Sequence, residues 1–121
     1  MTARTKALGR IGEQLAEAHL TRLGARILGR NVRSDLGELD LLIEHEGDLV
    51  GVEVKTRRAG QASLPEEAVG PRKIARLEQL LAQSAARLNL EERGWRIDVV
   101  AIEVDASGAV TRLEHIRDAY G

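Results

Sequence analysis

The chain has 121 residues, 43% of them hydrophobic, with 18 basic and 19 acidic residues and a formal net charge of −1. This composition fits one folded domain over residues 1–121 and argues against a disordered chain. The absence of cysteine excludes disulfides, thiolate zinc sites and cysteine nucleophiles, and the scarcity of aromatic residues disfavours recognition of single strands by base stacking. The N-terminus is charged and no apolar run approaches a membrane span, so we expect a cytoplasmic protein with no membrane partner.

A first helix is predicted from about Thr5 to Leu23, because Gly24 supplies a stop signal after it. Small residues at Gly9, Gly12 and Ala16 give this helix a thin face that can approach a sheet closely. Its apolar stripe at helical spacing is predicted to comprise Leu8, Ile11, Leu15, Ala18 and Leu23.

Three strands are predicted next, at about 26–33, 38–45 and 49–56. A turn centred near Gly47 joins the last two strands into a hairpin. Alternation in the third strand places its valines on one face, and the other face then carries Gly51, Glu53 and Lys55.

The second half of the chain begins with a polar loop from Arg57 to Leu64 and a helical turn within 65–70. Pro71 suits the first position of a long helix that reaches about Leu90. Two further strands are predicted at 95–104 and 109–116. The order α-β-β-β-α-β-β predicts an α/β fold with a mixed central sheet flanked by helices.

Two carboxylates and a lysine share one face of the predicted hairpin. Asp40 and Glu53 lie on its two arms, so counting outward from the turn brings them to neighbouring rungs, and Lys55 lies on the face of Glu53. Carboxylates are ligands for Mg²⁺ or Mn²⁺, and a lysine beside the metal can position water and offset charge on a phosphate. Gly51 would leave room there for a phosphate backbone. A solvated hairpin face carries the same residues, and the spacing leaves that alternative open.

Other polar residues have weaker signals. Glu13, on the small-residue face of the first helix, could reach the metal from above the sheet, although a surface glutamate is the alternative. Asp98 lies in an apolar strand and needs a partner, such as an arginine or a helix N–H group, which favours a structural role. The histidines at 19, 45 and 115 show no ligand spacing, so we expect them at the surface or partly buried.

Basic residues cluster in three segments, which predicts local contacts with phosphates in spite of the near-neutral net charge. Solvated faces are the alternative for each cluster. The third cluster opens the long helix, where cations oppose the helix dipole but free N–H groups favour a phosphate. The candidate nucleic-acid contacts are Arg33, Arg57, Arg58, Arg72, Lys73 and Arg76.

A series of different short motifs runs along nearly the whole chain in a characteristic order. They are Gly12-Glu13-x-x-Ala16, Arg30-Asn31-Val32-Arg33, Gly37-Glu38-Leu39-Asp40-Leu41, Val52-Glu53-Val54-Lys55-Thr56-Arg57, Ala68-Val69, Lys73 and Arg96-Ile97-Asp98-Val99-Val100. In this set and order the sequence resembles the YraN-like family of small bacterial proteins. Gly51 and Ile97 depart from the family pattern, since they stand where it usually shows aromatic residues.

The resemblance implies a restriction-endonuclease-like fold, similar to archaeal Holliday-junction resolvases. It implies that Asp40, Glu53 and Lys55 carry the D…E-x-K motif, with Glu13 as a helix carboxylate that joins the metal site. The implied function is a DNA endonuclease that uses Mg²⁺ or Mn²⁺ and acts on particular DNA structures in repair, recombination or DNA uptake. A non-catalytic nucleic-acid-binding module and an interaction subunit of a DNA-processing assembly are the alternatives. A homodimer would enlarge the DNA footprint of so small a chain.

Overall fold

Helices and strands follow one another in the order that the hydrophobic pattern predicts. The computed structural model describes residues 3–119. Its elements are α1 (Ala3–Arg22), β1 (Arg26–Ser34), β2 (Gly37–His45), β3 (Asp48–Arg58), a 3₁₀ turn (Pro65–Ala68), α2 (Pro71–Leu88), β4 (Trp95–Val104) and β5 (Val110–Ile116). The predicted order is confirmed. The polar loop starts later than predicted, because β3 continues through Arg58.

The five strands form one sheet in the order β1-β2-β3-β4-β5. Only the β3–β4 pair is parallel within this sheet, since α2 carries the chain across between those strands. The β2–β3 hairpin turns through Glu46 and Gly47, whose φ angles of 53° and 84° suit a tight turn that matches the strand twist. The predicted fold class, a mixed sheet flanked by helices, is therefore confirmed.

Each face of the sheet carries its own apolar core. The valines at 50, 52 and 54 face α1 and join a cluster with Ala16 and Leu20. The opposite face packs Leu39, Leu42 and Ile97 against the apolar side of α2. The sheet is thus covered on both sides, and β3 and β4 at its centre lie between the two cores.

The α1 helix packs through Ala16 and Leu20 and through only part of the stripe predicted for it, since Leu8 and Leu15 pack against the same core. Ile11 and Leu23 are 47% and 49% exposed, whereas Ala16 and Leu20 are fully buried. The reason is the approach of the backbone to β3: a Cβ on Gly12 would lie 2.9 Å from Thr56 Cβ and closer still to its hydroxyl. The predicted thin face therefore sets the helix rotation, and Ile11, Ala18 and Leu23 of the predicted stripe are exposed.

Gly51 does not leave the space for a phosphate that its sequence position suggested. A Cβ there would lie 3.0 Å from Leu39 Cδ2 and 3.1 Å from Ile97 Cδ1, so apolar side chains already fill the space. Gly51 and Ile97 are register partners on β3 and β4. The two departures from the family pattern are thus neighbours within the core.

A buried polar network lies on the α1 side of the sheet around Asp98, which is fully buried. Arg96 Nε donates to Asp98 Oδ1 at 2.9 Å, His115 Nε2 pairs with Oδ2 at 2.8 Å, and the Asp118 N–H donates to Oδ1 at 3.0 Å. Burial would raise the pKa of Asp98, but these hydrogen bonds outweigh it and hold the pKa below its ordinary value. The arginine partner expected for Asp98 is present.

The three histidines converge on this same network. His45 is 5% exposed and contacts both the Leu23 carbonyl, at 3.3 Å, and Arg96, at 3.1 Å. The His19 ring packs edge-on against His115, with centroids 5.4 Å apart. The expectation of surface or partly buried positions is wrong for His45. Because the three residues lie on α1, β2 and β5, their proximity could not be predicted from their spacing along the sequence.

The close approach at Gly12 gives a stability prediction. We expect Gly12→Ala to lower the free energy of unfolding by about 1–3 kcal/mol, because the added methyl group must push Thr56 and α1 apart. Gly9→Ala is the matched control, since a Cβ at Gly9 meets no atom within 4 Å. Urea unfolding should show that the control is unchanged or up to about 1 kcal/mol more stable. Equal effects of both variants would contradict this packing.

Asp98 supports a second prediction. Asp98→Asn should destabilise the fold by about 3–5 kcal/mol, because it removes the fully buried negative charge that Arg96 and His115 contact and leaves Arg96 only Asp48, whose side chain is 39% exposed. Since the folded-state pKa is lowered, this stabilisation is present above the ordinary aspartate pKa and is lost only as the pH falls through the folded-state pKa. Glu103→Gln on the same strand is the control, and chemical denaturation at pH 7 should show at most about 0.5 kcal/mol for it. A loss in Asp98→Asn no larger than in the control would refute the structural role.

Candidate active site

A cavity of about 470 Å³ opens where β2 and β3 meet the start of α2 and the first half of α1. Charged side chains dominate its wall. The carboxylates that line it are Glu13, Glu38, Asp40 and Glu53, and the cations are Lys55, Lys73 and Arg76. The structure therefore brings the D…E-x-K residues together with the helix carboxylate and two of the six candidate phosphate contacts.

Strand register positions the two central carboxylates. The β2–β3 ladder runs from the turn out to the Leu41–Val52 rung and ends there. One step further, Asp40 stands across from Glu53, on the same face. Beyond the end of the ladder, the Val54 N–H donates to Asp40 Oδ2 at 2.8 Å. The aspartate side chain thus satisfies a backbone donor that strand pairing leaves free.

The backbone twists locally at Asp40. Leu39 packs into the core beneath α2, whereas Leu41 packs into the core beneath α1. In a regular strand these two residues would share a face. Asn31, which lies opposite this point on β1, has a φ of 50°. The irregularity helps to turn the Asp40 carboxyl towards β3.

Asp40 and Glu53 share a proton in the absence of a cation. Burial, and then the hydrogen bond and negative charge of Glu53, raise the pKa of Asp40 to about 8. At neutral pH Asp40 therefore keeps its proton and donates it to Glu53. Burial would raise the pKa of Glu53 as well, but the hydrogen bonds from Asp40 and Lys73 outweigh it and lower that pKa.

Two lysines complete the cluster. Lys73 Nζ, from the first turn of α2, lies 2.7 Å from Glu53 Oε2. Burial and the neighbouring Lys73 lower the pKa of Lys55, although Glu53 and Asp40 partly compensate. Burial would lower the pKa of Lys73 too, but its contact with Glu53 reverses the effect and raises it. The inner cluster thus combines a carboxyl group whose pKa is raised, a carboxylate whose pKa is lowered, and two lysines whose pKa values shift in opposite directions.

Glu13 lines the cavity at its α1 side. Burial, and then the charges of Glu38 and Glu53, raise its pKa. Within residues 3–119, no three histidine, aspartate or glutamate side chains form a group able to hold a metal ion, so Glu13 lies near the central pair without completing such a group. Asp40 and Glu53 alone fit a hard divalent cation, because Mg²⁺ binds through one or two carboxylates together with waters and substrate phosphates.

The remaining basic candidates differ in position. Arg57 lies on the face of Glu53, where its guanidinium donates to Ser63 Oγ at 3.1 Å. Arg58 lies on the α1 side, in a shallow pocket away from the cavity. Arg33 pairs with Glu38 at 2.9 Å near the rim, and Arg72 is exposed outside the cavity wall. The structure thus separates Arg58 and Arg72 from the cluster.

The ion pair between Lys73 and Glu53 is what sequence reasoning missed. Lys73 was expected to contact phosphate, with no partner assigned within the protein. Residues 59–70, a loop and a 3₁₀ turn, separate α2 from β3, so no local spacing indicates the contact. The only signal in the sequence is a lysine in a first helix turn, where acidic residues are favoured.

The shared proton gives a stability prediction that holds without metal. Asn at position 40 can still accept the Val54 N–H and donate to Glu53, but it cannot ionise. Since the folded-state pKa of about 8 lies above the ordinary 3.8, wild-type stability falls as the pH rises between those values. We therefore expect Asp40→Asn in EDTA to gain roughly 1 kcal/mol or more at pH 7, and less at pH 5. Thermal unfolding across this range measures the gain, and a destabilised variant would refute the shared proton.

Comparison with known proteins agrees along the whole chain. A family model described as "Uncharacterised protein family UPF0102" matches residues 12–102. A UPF0102 protein of Frankia alni is 44% identical over 121 residues, covering 99% of this chain and all of that one. A UPF0102 protein of Pelotomaculum thermopropionicum is 40% identical over 115 residues, covering 95% and 96% of the two chains.

Among solved structures, Pyrococcus furiosus SfsA in complex with Ca²⁺ aligns with 93% of this chain and 63% of its own, at 16% identity and a TM-score of 0.38. No residue of the site is assigned from that alignment. No helix within residues 3–119 combines the length and apolar character needed to cross a bilayer. The family match and the two relatives agree with the motifs that indicated the YraN-like family, and the chain belongs to that family, UPF0102.

Proposed function

We propose that the protein is a metal-dependent nuclease that hydrolyses phosphodiester bonds in DNA. The observation that carries the proposal is the pair of half-buried Asp40 and buried Glu53, which lie beside two lysines in a single cavity. Two neighbouring carboxyl groups that retain a proton when no cation is bound are well suited to binding a cation, which would replace that proton. Asparagine at position 40 would make the fold more stable, so stability alone does not explain an aspartate there.

Asp40 and Glu53 would hold the ion, which we propose to be Mg²⁺ or Mn²⁺. Such an ion would polarise a phosphoryl oxygen and acidify the attacking water. Glu13 lies close enough to Asp40 for its charge to raise the pKa of that carboxyl group. We assign it a supporting place around the ion.

Lys55 is the group we assign to the reacting phosphate. Its ammonium lies in the same cavity as Glu53 and is partly shielded from solvent, so its charge is worth more there than at the surface. It would orient the water and offset the negative charge that builds up on the phosphoryl oxygens. Water adds to phosphorus, the bond to one bridging oxygen breaks, and that oxygen leaves with a proton.

Cations around the cavity would position the DNA backbone. Arg76 lies on the cavity wall, and Arg57 lies further along the face of Glu53. Arg33 and Arg72 are placed to meet flanking phosphates, whereas Arg58 would have to contact DNA from the other face. We propose a homodimer as the source of any preference for branched or structured DNA, and a cytoplasmic location where chromosomal DNA is the substrate.

A non-catalytic DNA-binding module is the second candidate. The observation that favours it is the ion pair between Lys73 and Glu53, which neutralises the cluster without a metal ion. In that case Asp40 and Glu53 would be retained for binding or for folding, and the protein would bind DNA equally well with EDTA. An interaction subunit would bind no DNA at all.

Cleavage assays test the nuclease. Supercoiled plasmid, a four-way junction and single-stranded DNA should be incubated with Mg²⁺, Mn²⁺ or EDTA and analysed on gels. We expect cleavage with metal only, and a loss of at least about 100-fold in Asp40→Asn and Lys55→Met, since each removes a group that stabilises the transition state. Glu13→Gln should have a smaller effect.

Glu38→Gln is the matched control for these variants. It removes a carboxylate from the rim of the same cavity, where Glu38 pairs with the exposed Arg33. Cleavage that persists in Asp40→Asn, or in EDTA, would rule out this site as its source. If the protein binds DNA but cleaves it with neither Mg²⁺ nor Mn²⁺, the result would favour the non-catalytic binding module.

A further inference from the structure

We infer that Lys73 is an exchangeable counter-cation: it occupies the place of the divalent ion at Glu53, gives way when the ion binds, and then holds the phosphate that is to be cut. This inference rests on the proposed function. It assigns to one residue of α2 two successive partners, first a carboxylate of the protein and then a phosphate of the substrate.

The ion pair itself indicates which partner can move. The side chain of Glu53 is 5% exposed and is fixed on a central strand between two others. The side chain of Lys73 is 38% exposed and stands on four flexible carbons at the start of a helix. An incoming cation would therefore find Glu53 in place and displace Lys73 towards solvent.

The two lysine ammonium groups of the cluster repel each other. Lys55 and Lys73 line the same cavity, where Lys73 pairs with Glu53 at 2.7 Å and the proximity of Lys73 lowers the pKa of Lys55. A divalent ion at Asp40 and Glu53 would add two positive charges and engage both carboxylates at once. Lys73 would then lose its partner and face repulsion from both sides.

A phosphate restores the balance. With the ion bound, Asp40 and Glu53 offset its two charges, which leaves the ammonium groups of Lys55 and Lys73 to face an anion. The first turn of α2 also carries Arg72 and no acidic residue, so neither the sequence nor the helix dipole opposes an anion there. Lys73 would stay in the cavity only when a phosphate enters.

A permanent structural ion pair would behave differently. It would add to folding stability, would not respond to metal and would leave Lys73 unavailable to DNA under all conditions. The two roles can be separated by measuring metal affinity without DNA, and DNA affinity with and without metal. Neither measurement depends on cleavage.

Metal affinity is the first readout. Mn²⁺ binding to the full chain should be measured by isothermal titration calorimetry for wild type, Lys73→Gln and Arg76→Gln. Because Lys73 competes for Glu53, we expect Lys73→Gln to bind Mn²⁺ about tenfold more tightly. Arg76→Gln removes the same charge from the same cavity, one turn further along α2, and should change the affinity by about twofold or less.

The salt dependence of DNA binding is the second readout. In Ca²⁺, used as a poorly reactive stand-in, the slope of log K against log salt should be about 0.9 smaller for Lys73→Gln than for wild type, because one phosphate contact is lost. In EDTA the two slopes should be equal, since Lys73 is then paired with Glu53. Lys73→Arg should recover the slope in Ca²⁺.

The outcomes separate this inference from the proposed function. Equal Mn²⁺ affinity in wild type and Lys73→Gln, or a slope difference that is the same with Ca²⁺ and EDTA, overturns the exchange and leaves the nuclease standing. Both expected results in a protein that cuts no DNA support the exchange and overturn the nuclease. A wild-type protein and a Lys73→Gln variant that both fail to bind Mn²⁺ overturn both.

Discussion

The structure depends on how it neutralises the charge of Glu53. This carboxylate is 4% exposed on a strand at the centre of the sheet, where an unpaired charge is expensive. The fold places a proton donor on one side, Asp40, and an ammonium group on the other, Lys73. Everything else at the site follows from bringing those two groups to one point. The β2–β3 hairpin supplies the first, and the α2 crossover, which the parallel β3–β4 pair requires, supplies the second.

This arrangement works against stability, and the two cores compensate for it. Asp40 ends a ladder, lies at a backbone irregularity and holds a proton far above its ordinary pKa. The sheet around it is buried on both faces by aliphatic side chains, and α1 approaches β3 so closely that Gly12 has no room for a methyl group. The valines on the opposite face of β3 anchor the strand in the core and keep Glu53 and Lys55 in place in spite of the cost of burying them.

Much of the fold was accessible from sequence because its signals are local. The hairpin, the alternation of β3 and the bounds of β4 follow from residue patterns within a single element, and they are enough to place Asp40, Glu53 and Lys55 on one face. Contacts between distant elements are not local. The apolar stripe predicted for α1 was partly wrong because α1 packs closely on β3 at Gly12. That Ile97 fills the space at Gly51 could be known only from the β3–β4 register, and that Lys73 pairs with Glu53 only from the position of α2. Each of these depends on a distance across the fold that no spacing along the chain encodes.

The two most buried carboxylates of the described chain show what distinguishes a structural charge from a reactive one. Asp98 receives hydrogen bonds from Arg96, His115 and a backbone N–H, all within the protein and all shielded from solvent. These partners occupy both carboxylate oxygens of Asp98, so no oxygen is left open to bind a ligand. Glu53 is held by a proton and a half-exposed lysine, both of which an incoming cation can replace. Burial and a lowered pKa are common to the two residues, and only the exchangeability of the partners separates them. A search for function among buried charges should therefore ask which partners can leave, since the depth of burial alone would have ranked Asp98 first.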